Sequence, residues 1–229
     1  MWERIVEEAP RFFTYFNMVF LLEAALTTLV LSAVGCIGGF GLGFLMAVVR
    51  RTEGLALLPL RALAIALTEV FRRVPFLVTL FLFFYAFQLL GLGLDTFYAA
   101  LGAVVIIAAA FIAEIVRAGF DSVHRAQWDA AAAMNFTLAQ TLRHVVLPQA
   151  WRVILPPAFS FFILFIKDTA LASQIGVIEL TYAGKVMNNK GFSAALSFGS
   201  ILVLYFALSY PLSRLGQSLE ARLGARRSQ

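Results

Sequence analysis

Charged residues are scarce in this sequence, and their scarcity argues against a soluble fold. Only 14% of the 229 residues are charged and 61% are hydrophobic. A typical soluble domain has about 25% charged and about 45–50% apolar residues. A soluble core of this length could not hide so much apolar surface from water. We therefore expect the chain to be embedded in a membrane.

Cysteine and histidine are also scarce, which excludes several kinds of site. Cys36 is the only cysteine, so no intrachain disulfide can form. The two histidines, His124 and His144, form no metal-binding cluster with it. The chain also lacks the Gly-x-x-x-x-Gly-Lys-Ser/Thr loop that cradles phosphates, and it has no plausible pair of nucleophile and base. We expect no cofactor, no catalytic residue and no metal.

The start of the chain does not have the pattern of a cleavable signal peptide, and we expect none. The first residues mix acids and bases, with no basic region ahead of a short apolar run. We expect the first membrane helix to act as the insertion signal. The net charge of +5 fits loops that face anionic lipids, and we expect no nucleic-acid partner.

Five apolar segments approach the length of roughly 20 residues that a helix needs to cross a bilayer. They cover residues 18–49, 75–92, 97–116, 153–175 and 195–213. The first is longer than necessary and should tilt or project beyond the bilayer. Residues 55–73 contain Arg61 and Glu69, so we expect a helix near the membrane surface or one that enters obliquely. The sequence predicts an all-α integral membrane protein forming a single transmembrane domain over residues 1–229.

Three glycines in the first span recur at every fourth position. Gly35, Gly39 and Gly43 make one face smooth enough for a second helix to approach closely. That helix could belong to the same chain or to a second copy. We favour packing within the chain.

The distribution of basic residues predicts the orientation. Most fall on one side of a five-span arrangement: Arg50, Arg51, Arg61, Arg72, Arg73, Arg117, Arg125, Arg143, Arg152, Arg214, Arg222, Arg226 and Arg227. The other side receives Arg4, Arg11, Lys185 and Lys190. Since basic loops stay in the cytoplasm, the N-terminus should lie outside and the C-terminus inside. An odd number of spans agrees with this result.

Residues 117–148 are too polar to span and are expected to form two short helices. The run Ala130–Ala133 strongly favours a helix with small side chains, which a partner could approach closely. Asn135 follows, and asparagine tolerates the left-handed backbone of a helix end. The first helix should therefore stop there.

A second helix should follow the turn. Thr137 and Gln140 have the spacing of a capping box, and Pro148 should limit the helix at its far end. The segment could be a simple connection that happens to be helical. Two capped helices joined at a defined angle exceed what a connection needs, so we favour a docking element.

This segment resembles the EAA loop of ABC-transporter permeases. That loop has Glu-Ala-Ala, then Gly four residues later, then Leu-Pro. Here the matching residues are Asp129, Ala130, Ala131, Asn135, Leu147 and Pro148. Both departures preserve the chemistry, because Asp129 keeps the carboxylate and Asn135 can adopt the turn. The resemblance implies that these six residues couple the chain to an ATPase.

Further runs are similar to polar amino-acid permeases of the histidine/glutamine (HisMQ-like) type. They cover residues 71–78, 113–119, 167–171, 175–177 and 179–180. Their order and spacing together are specific, and the resemblance extends from about residue 20 onward. It implies a MetI-like ABC importer fold with a cytoplasmic helix-turn-helix coupling loop.

Lys167 and Asp168 place charge inside the fourth predicted span. A charge at a membrane centre costs roughly 2.5–3.5 kcal/mol on insertion scales, so its presence needs a reason. Adjacent helical residues point about 100° apart, so at least one should face another helix, a cavity or a ligand. A purely structural network is the alternative.

The resemblance implies that this region faces the translocation cavity. Asp168 could pair with a substrate ammonium, and Thr169 could donate to a carboxylate. Lys167 could bind the carboxylate too, or could instead pair with Glu114. These four residues form the predicted substrate-binding set.

The resemblance also implies a set of partners and a location. We expect a permease subunit of an ATP-driven importer for polar amino acids, embedded among the lipids of the bacterial cytoplasmic membrane. It should work with a pair of separate ATPase subunits, a periplasmic amino-acid-binding protein and a second permease subunit, identical or homologous. The alternative is an ion-coupled secondary transporter, but the internal repeats common in such folds are not visible. A non-transporting scaffold would have little use for charges in mid-membrane.

Overall fold

The computed structural model describes residues 2–91 and 93–224, and regular structure within them is entirely helical. The α-helices are α1 (Trp2–Phe12), α2 (Tyr15–Arg51), α3 (Leu58–Phe71), α4 (Phe76–Leu89), α5 (Thr96–Asp121), α6 (Arg125–Ala133), α7 (Leu138–Thr141), α8 (Leu147–Asp168), α9 (Leu180–Asn189) and α10 (Ala194–Gly224). Short 3₁₀ segments occupy Leu55–Leu57 and Thr169–Ile175, and a π turn occupies Leu142–Val146. The all-α prediction is confirmed. Arg226 and Arg227, used in the orientation argument, lie outside the described residues.

Within the described residues, four helical stretches are long and apolar enough to cross a membrane. They are Tyr15–Arg51, Thr96–Asp121, Leu138–Ile175 and Ala194–Ser218. The stretch Leu55–Phe71 and α4 form a further pair, bent by 118°, which could count as one broken span. Five spans result if it does. The first span covers 37 residues, so the prediction that it is overlong is confirmed.

The helix after Thr137 does not end at Pro148, so that prediction was wrong. The backbone N–H of Leu147 donates to the carbonyl of Leu142, five residues earlier, which makes a π turn. Pro148 then lies in the first turn of α8, a position where a proline is tolerated. The helical run continues from Leu138 to Ile175, so the helix that contains the fourth predicted span begins well before residue 153.

The chain divides into two compact units, each built from separated segments. The first contains Met1–Gly35, Phe76–Val104 and Ile163–Ser213. Its buried core contains Phe12, Leu21, Ala24, Ala25, Leu180, Ala183, Met187 and Ile201. The prediction of one transmembrane domain stays a prediction.

The amphipathic helix α1 is tied firmly into this first unit. Phe12 is fully buried and meets the ring of Phe192 edge-on, with 5.1 Å between centroids. The carboxylate of Glu8 accepts a 2.7 Å hydrogen bond from the backbone N–H of Ser193, just ahead of α10. This hydrogen bond holds the pKa of Glu8 below its ordinary value.

The second unit contains Cys36–Pro75, Val105–Phe162 and Arg214–Gln229. One apolar cluster of this unit includes Ala47, Ile112, Val116, Phe120, Val123, Leu142, Val146, Ala150, Ile154 and Ala158. This cluster joins the ends of α2 and α5 to the start of α8. The segment predicted to dock a partner is therefore held in place by this apolar cluster.

The glycine face of α2 packs against α5 of the same chain. A Cβ atom placed on Gly43 would lie 2.5 Å from the carbonyl oxygen of Ala109 and 2.9 Å from the nitrogen of Ala113. One placed on Gly39 would lie 3.0 Å from the carbonyl oxygen of Val105. Packing within the chain is confirmed as the use of this face.

Candidate coupling loop and translocation site

Helix α6 presents one face outward and one face inward. Asp129 and Ala130 are exposed, whereas Ala131 is fully buried. The imidazole Nδ1 of His124 accepts a 3.2 Å hydrogen bond from the backbone N–H of Ala126 and so caps the helix. Small side chains and an open carboxylate therefore face away from the unit, where another protein can reach them.

The turn between α6 and α7 has the predicted geometry. Asn135 has φ of 58°, the only positive φ outside glycine among the described residues. The backbone N–H of Phe136 donates to the carbonyl of Ala131 across the turn at 3.0 Å. Thr137 and Gln140 then form the capping box, with bonds of 2.8 and 3.3 Å. The helix-turn-helix prediction is confirmed, and Asn135 and Pro148 are both exposed on it.

A polar cleft opens beside α6, and sequence reasoning did not find it. Its cavity volume is about 770 Å³, and its lining includes Asp129, Asp121, Arg51 and Glu53. The guanidinium of Arg51 lies 5.2 Å from the ring centroid of Trp128 and pairs with Asp121. No local pattern signals these contacts, because Arg51 and Asp121 are 70 positions apart.

Lys167 and Asp168 lie where α8 ends and the 3₁₀ segment begins. Lys167 is exposed and Asp168 is half-buried. Within the described residues of their unit, neither side chain makes an ion pair. Lys167 and part of the Asp168 side chain are thus accessible at the protein surface.

Thr169 is fully buried, and its hydroxyl is already engaged by the protein. It donates to the carbonyl of Ile166 at 2.8 Å and lies 3.4 Å from the hydroxyl of Ser32. The predicted donation to a substrate carboxylate would require this hydroxyl to turn away from Ile166. In the observed arrangement Thr169 can offer only an acceptor.

Glu114 belongs to the second unit, where three arginines share its carboxylate. Arg117 Nε lies 2.9 Å from Oε1, and Arg50 and Arg72 lie 3.4 and 3.6 Å from Oε2. Its charge is thus balanced by arginine. The predicted pairing of Glu114 with Lys167 or with a substrate stays a prediction.

A buried polar network is centred on Glu179, four residues after the 3₁₀ segment of the first unit ends. Glu179 is fully buried and accepts hydrogen bonds from the backbone N–H groups of Thr181 and Tyr182 and from the hydroxyl of Tyr205, at 2.8–2.9 Å. The backbone N–H of Leu180 donates to Thr28 at 3.2 Å. Burial raises the pKa of Glu179, and these donors oppose that shift. In the sequence, Glu179 stood out only as part of a run that resembles the family. An acidic residue between apolar runs was the one other signal that it could be buried.

Comparison with known proteins gives a consistent result. Residues 39–224 match the family described as "Binding-protein-dependent transport system inner membrane component". The chain is 32% identical over 207 residues to "Probable glutamine ABC transporter permease protein GlnM" of Bacillus subtilis (strain 168), covering 90% of this chain and 94% of that protein. It is 34% identical over 197 residues to "L-cystine transport system permease protein TcyB" of the same organism, covering 86% and 83%.

A solved structure is similar along nearly the whole chain. The crystal structure of an amino acid ABC transporter with histidines superposes with a TM-score of 0.80 and 28% identity, covering 91% of this chain and 98% of that one. The helical architecture is therefore shared over most of the chain.

Proposed function

This chain belongs to the family of inner membrane components of binding-protein-dependent transport systems, and from that premise we propose that it carries polar amino acids into the cell. It is a permease subunit of an ABC importer and not an enzyme, since ATP hydrolysis belongs to a separate subunit in such systems. The relatives are named for glutamine and for cystine at similar identity, which supports the class of substrate and not one member. An ion-coupled secondary transporter finds no support in these relatives.

The observation that carries the proposal is the outward face of α6. Asp129 and Ala130 are exposed on a short helix whose other face, at Ala131, is buried within the second unit. A partner protein can therefore bind the exposed face of α6 without disturbing the packing of its buried face. We place the ATPase dimer here, with one ATPase subunit on each permease subunit and with Asn135, Leu147 and Pro148 completing the loop.

Reversing the charge of Asp129 should release the ATPase. Asp129→Arg puts a cation and a long side chain on the exposed face, and we expect the ATPase to be lost from the complex during purification. Glu7→Arg is the matched control, because Glu7 is an exposed acid on α1 with no hydrogen bond or ion pair among the described residues. Retention of the ATPase by Asp129→Arg would contradict docking at α6.

The substrate is proposed to bind near the end of α8. The half-buried carboxylate of Asp168 can accept the ammonium that every amino acid carries, and the exposed Lys167 can meet the carboxylate. Thr169 remains in the proposed set, although its hydroxyl has a protein partner in the observed arrangement. Glu114 is left out of the proposed contacts, because three arginines already share its carboxylate.

Removing the charge of Asp168 tests this placement. We expect Asp168→Asn to lower uptake while ATP hydrolysis by the purified complex persists, because the ammonium loses its counter-charge and the docking loop is untouched. Normal uptake by this variant would remove Asp168 from the site.

We further propose that two permease subunits, identical or homologous, share one translocation path. Four or five spans enclose too little space for a path within one chain. A periplasmic binding protein delivers the amino acid to the outer face. The N-terminus lies outside and the C-terminus lies in the cytoplasm, which the concentration of arginines around the docking loop supports.

A further inference from the structure

We infer that a cluster of arginines and carboxylates in the second unit transmits the movement of α6 to the membrane spans. This coupling cluster consists of Arg50, Arg51, Arg72, Glu114, Arg117 and Asp121. Its residues are proposed as positioning residues: they touch neither nucleotide nor substrate. The inference rests on the proposed docking of an ATPase at α6.

The cluster begins at the docking helix itself. Trp128 precedes Asp129 and is half-buried, and the guanidinium of Arg51 lies over its ring at 5.2 Å. Arg51 is the last residue of α2 and also pairs with Asp121, the last residue of α5. One arginine therefore fastens α6 to the ends of two spans. A force on α6 reaches both through this contact.

Along α5 the cluster continues on a single helix face. Arg117 Nη1 lies 2.5 Å from Asp121, four residues later, and Arg117 Nε lies 2.9 Å from Glu114, three residues earlier. Side chains at these spacings are neighbours on a helix surface. Arg117 therefore bridges two carboxylates. If Asp121 changes its partner, the position of the Arg117 guanidinium beside Glu114 changes as well.

Glu114 collects the other elements of the unit. Besides Arg117 it pairs with Arg50 near the end of α2 and with Arg72, the residue that caps α3. The guanidinium of Arg72 also lies 5.9 Å from the ring centroid of Phe111, which stacks on Phe161 of α8 with 5.0 Å between centroids. The carboxylate of Glu114 thus links α2, α3 and α5 directly, and Arg72 extends the link to α8.

The charge balance of the cluster suits a switch of partners. Four arginines face two carboxylates, so each carboxylate is contested by more than one cation. The side chains of Arg50 and Glu114 are only 16% and 20% exposed, so water and salt screen their attraction less than at an open surface. When α6 moves, these carboxylates can exchange arginines without leaving a buried charge unpaired.

The test uses the whole transporter, reconstituted in vesicles with its ATPase and binding protein. Arg51→Gln cuts the link at α6, and Glu114→Gln removes the centre of the cluster. We expect both variants to retain the ATPase and to hydrolyse ATP near the normal rate. Uptake of an isotope-labelled amino-acid mixture per ATP hydrolysed should fall by about tenfold, because the movement of α6 no longer reaches the spans.

Two further variants serve as control and rescue. Arg152→Gln removes an exposed arginine of the same unit that makes no ion pair among the described residues, so coupling should be unchanged. Arg51→Lys keeps the cation beside Asp121 and should restore part of the coupling. Loss of uptake and hydrolysis in proportion, with the complex intact, would indicate a merely structural role and overturn the inference.

The remaining outcomes also decide the question. Normal coupling in both glutamine variants would overturn the inference, and so would release of the ATPase by either, since the cluster would then be part of the docking surface. If the unaltered chain retained no ATPase, the proposed function itself would fail. If the unaltered transporter couples uptake to hydrolysis and the variants keep the same ratio of uptake to hydrolysis, only the inference about the coupling cluster fails and the proposed function stands.

Discussion

At the scale of the residue, glycines that lack a side chain determine how closely two helices can pack. Gly39 and Gly43 let the backbone of α2 approach that of α5 so closely that a methyl group has no room. The atoms in the way belong to backbone, which cannot swing aside as a side chain can. In the same helix Gly41 has nothing within 4 Å of the position that a Cβ would take, so a larger side chain has room there.

Filling this contact should weaken the protein. Gly43→Val places its Cβ 2.5 Å from the Ala109 carbonyl oxygen, and we expect overpacking to cost about 1–3 kcal/mol. The thermal midpoint of the detergent-solubilised protein should fall, as measured by size-exclusion chromatography after heating. Gly41→Val is the matched control and should leave the midpoint nearly unchanged. Equal midpoints for the two variants would show that α2 and α5 do not pack as described.

At the scale of the element, the coupling loop depends on one backbone turn. Asn135 has φ of 58°, which asparagine and glycine tolerate and β-branched residues do not. The capping box at Thr137 then starts the next helix, so the angle between α6 and α7 is set by local chemistry. Because α6 carries the exposed Asp129, an error in this angle displaces the proposed docking face.

Substitutions at Asn135 should separate turn geometry from side-chain chemistry. Asn135→Gly should keep the ATPase bound, since glycine adopts the same backbone conformation. Asn135→Val should cost about 1–2 kcal/mol in the turn and reduce ATPase copurification. If valine were tolerated as well as glycine, the left-handed turn would not control docking.

At the scale of the whole molecule, the orientation in the membrane decides which partner meets which face. Glu7 lies on α1 and Gln127 lies on α6, and both are exposed. With the proposed orientation these positions face opposite sides of the membrane. The arginines Arg50, Arg51 and Arg117 then lie on the cytoplasmic side, beside the ATPase.

Cysteine labelling should reveal this orientation directly. Glu7→Cys and Gln127→Cys, each made together with Cys36→Ser, are treated with a membrane-impermeant maleimide. In intact spheroplasts we expect label on Glu7→Cys alone, and on Gln127→Cys only after the membrane is opened. The reverse pattern would invert the orientation and remove α6 from reach of any cytoplasmic ATPase.

The sequence by itself determined the features that depend on neighbouring residues. Apolar runs of membrane length predict helices because an isolated backbone must satisfy its hydrogen bonds internally in lipid. Asn135 and the capping box predict the helix-turn-helix because turn and cap act within a few residues. Even the close approach at Gly43 was foreseen, since a helix interrupted by glycines at every fourth position has one smooth face.

Only the tertiary structure decided the features that depend on residues far apart in the chain. Pro148 starts α8 and does not end a helix, because the π turn before it carries the helical run onward. The Arg51–Asp121 and Arg50–Glu114 pairs join positions 70 and 64 residues apart, and only packing brings such charges together. The sequence shows that a charge in an apolar segment needs a partner, but only the folded structure determines which residue that partner is.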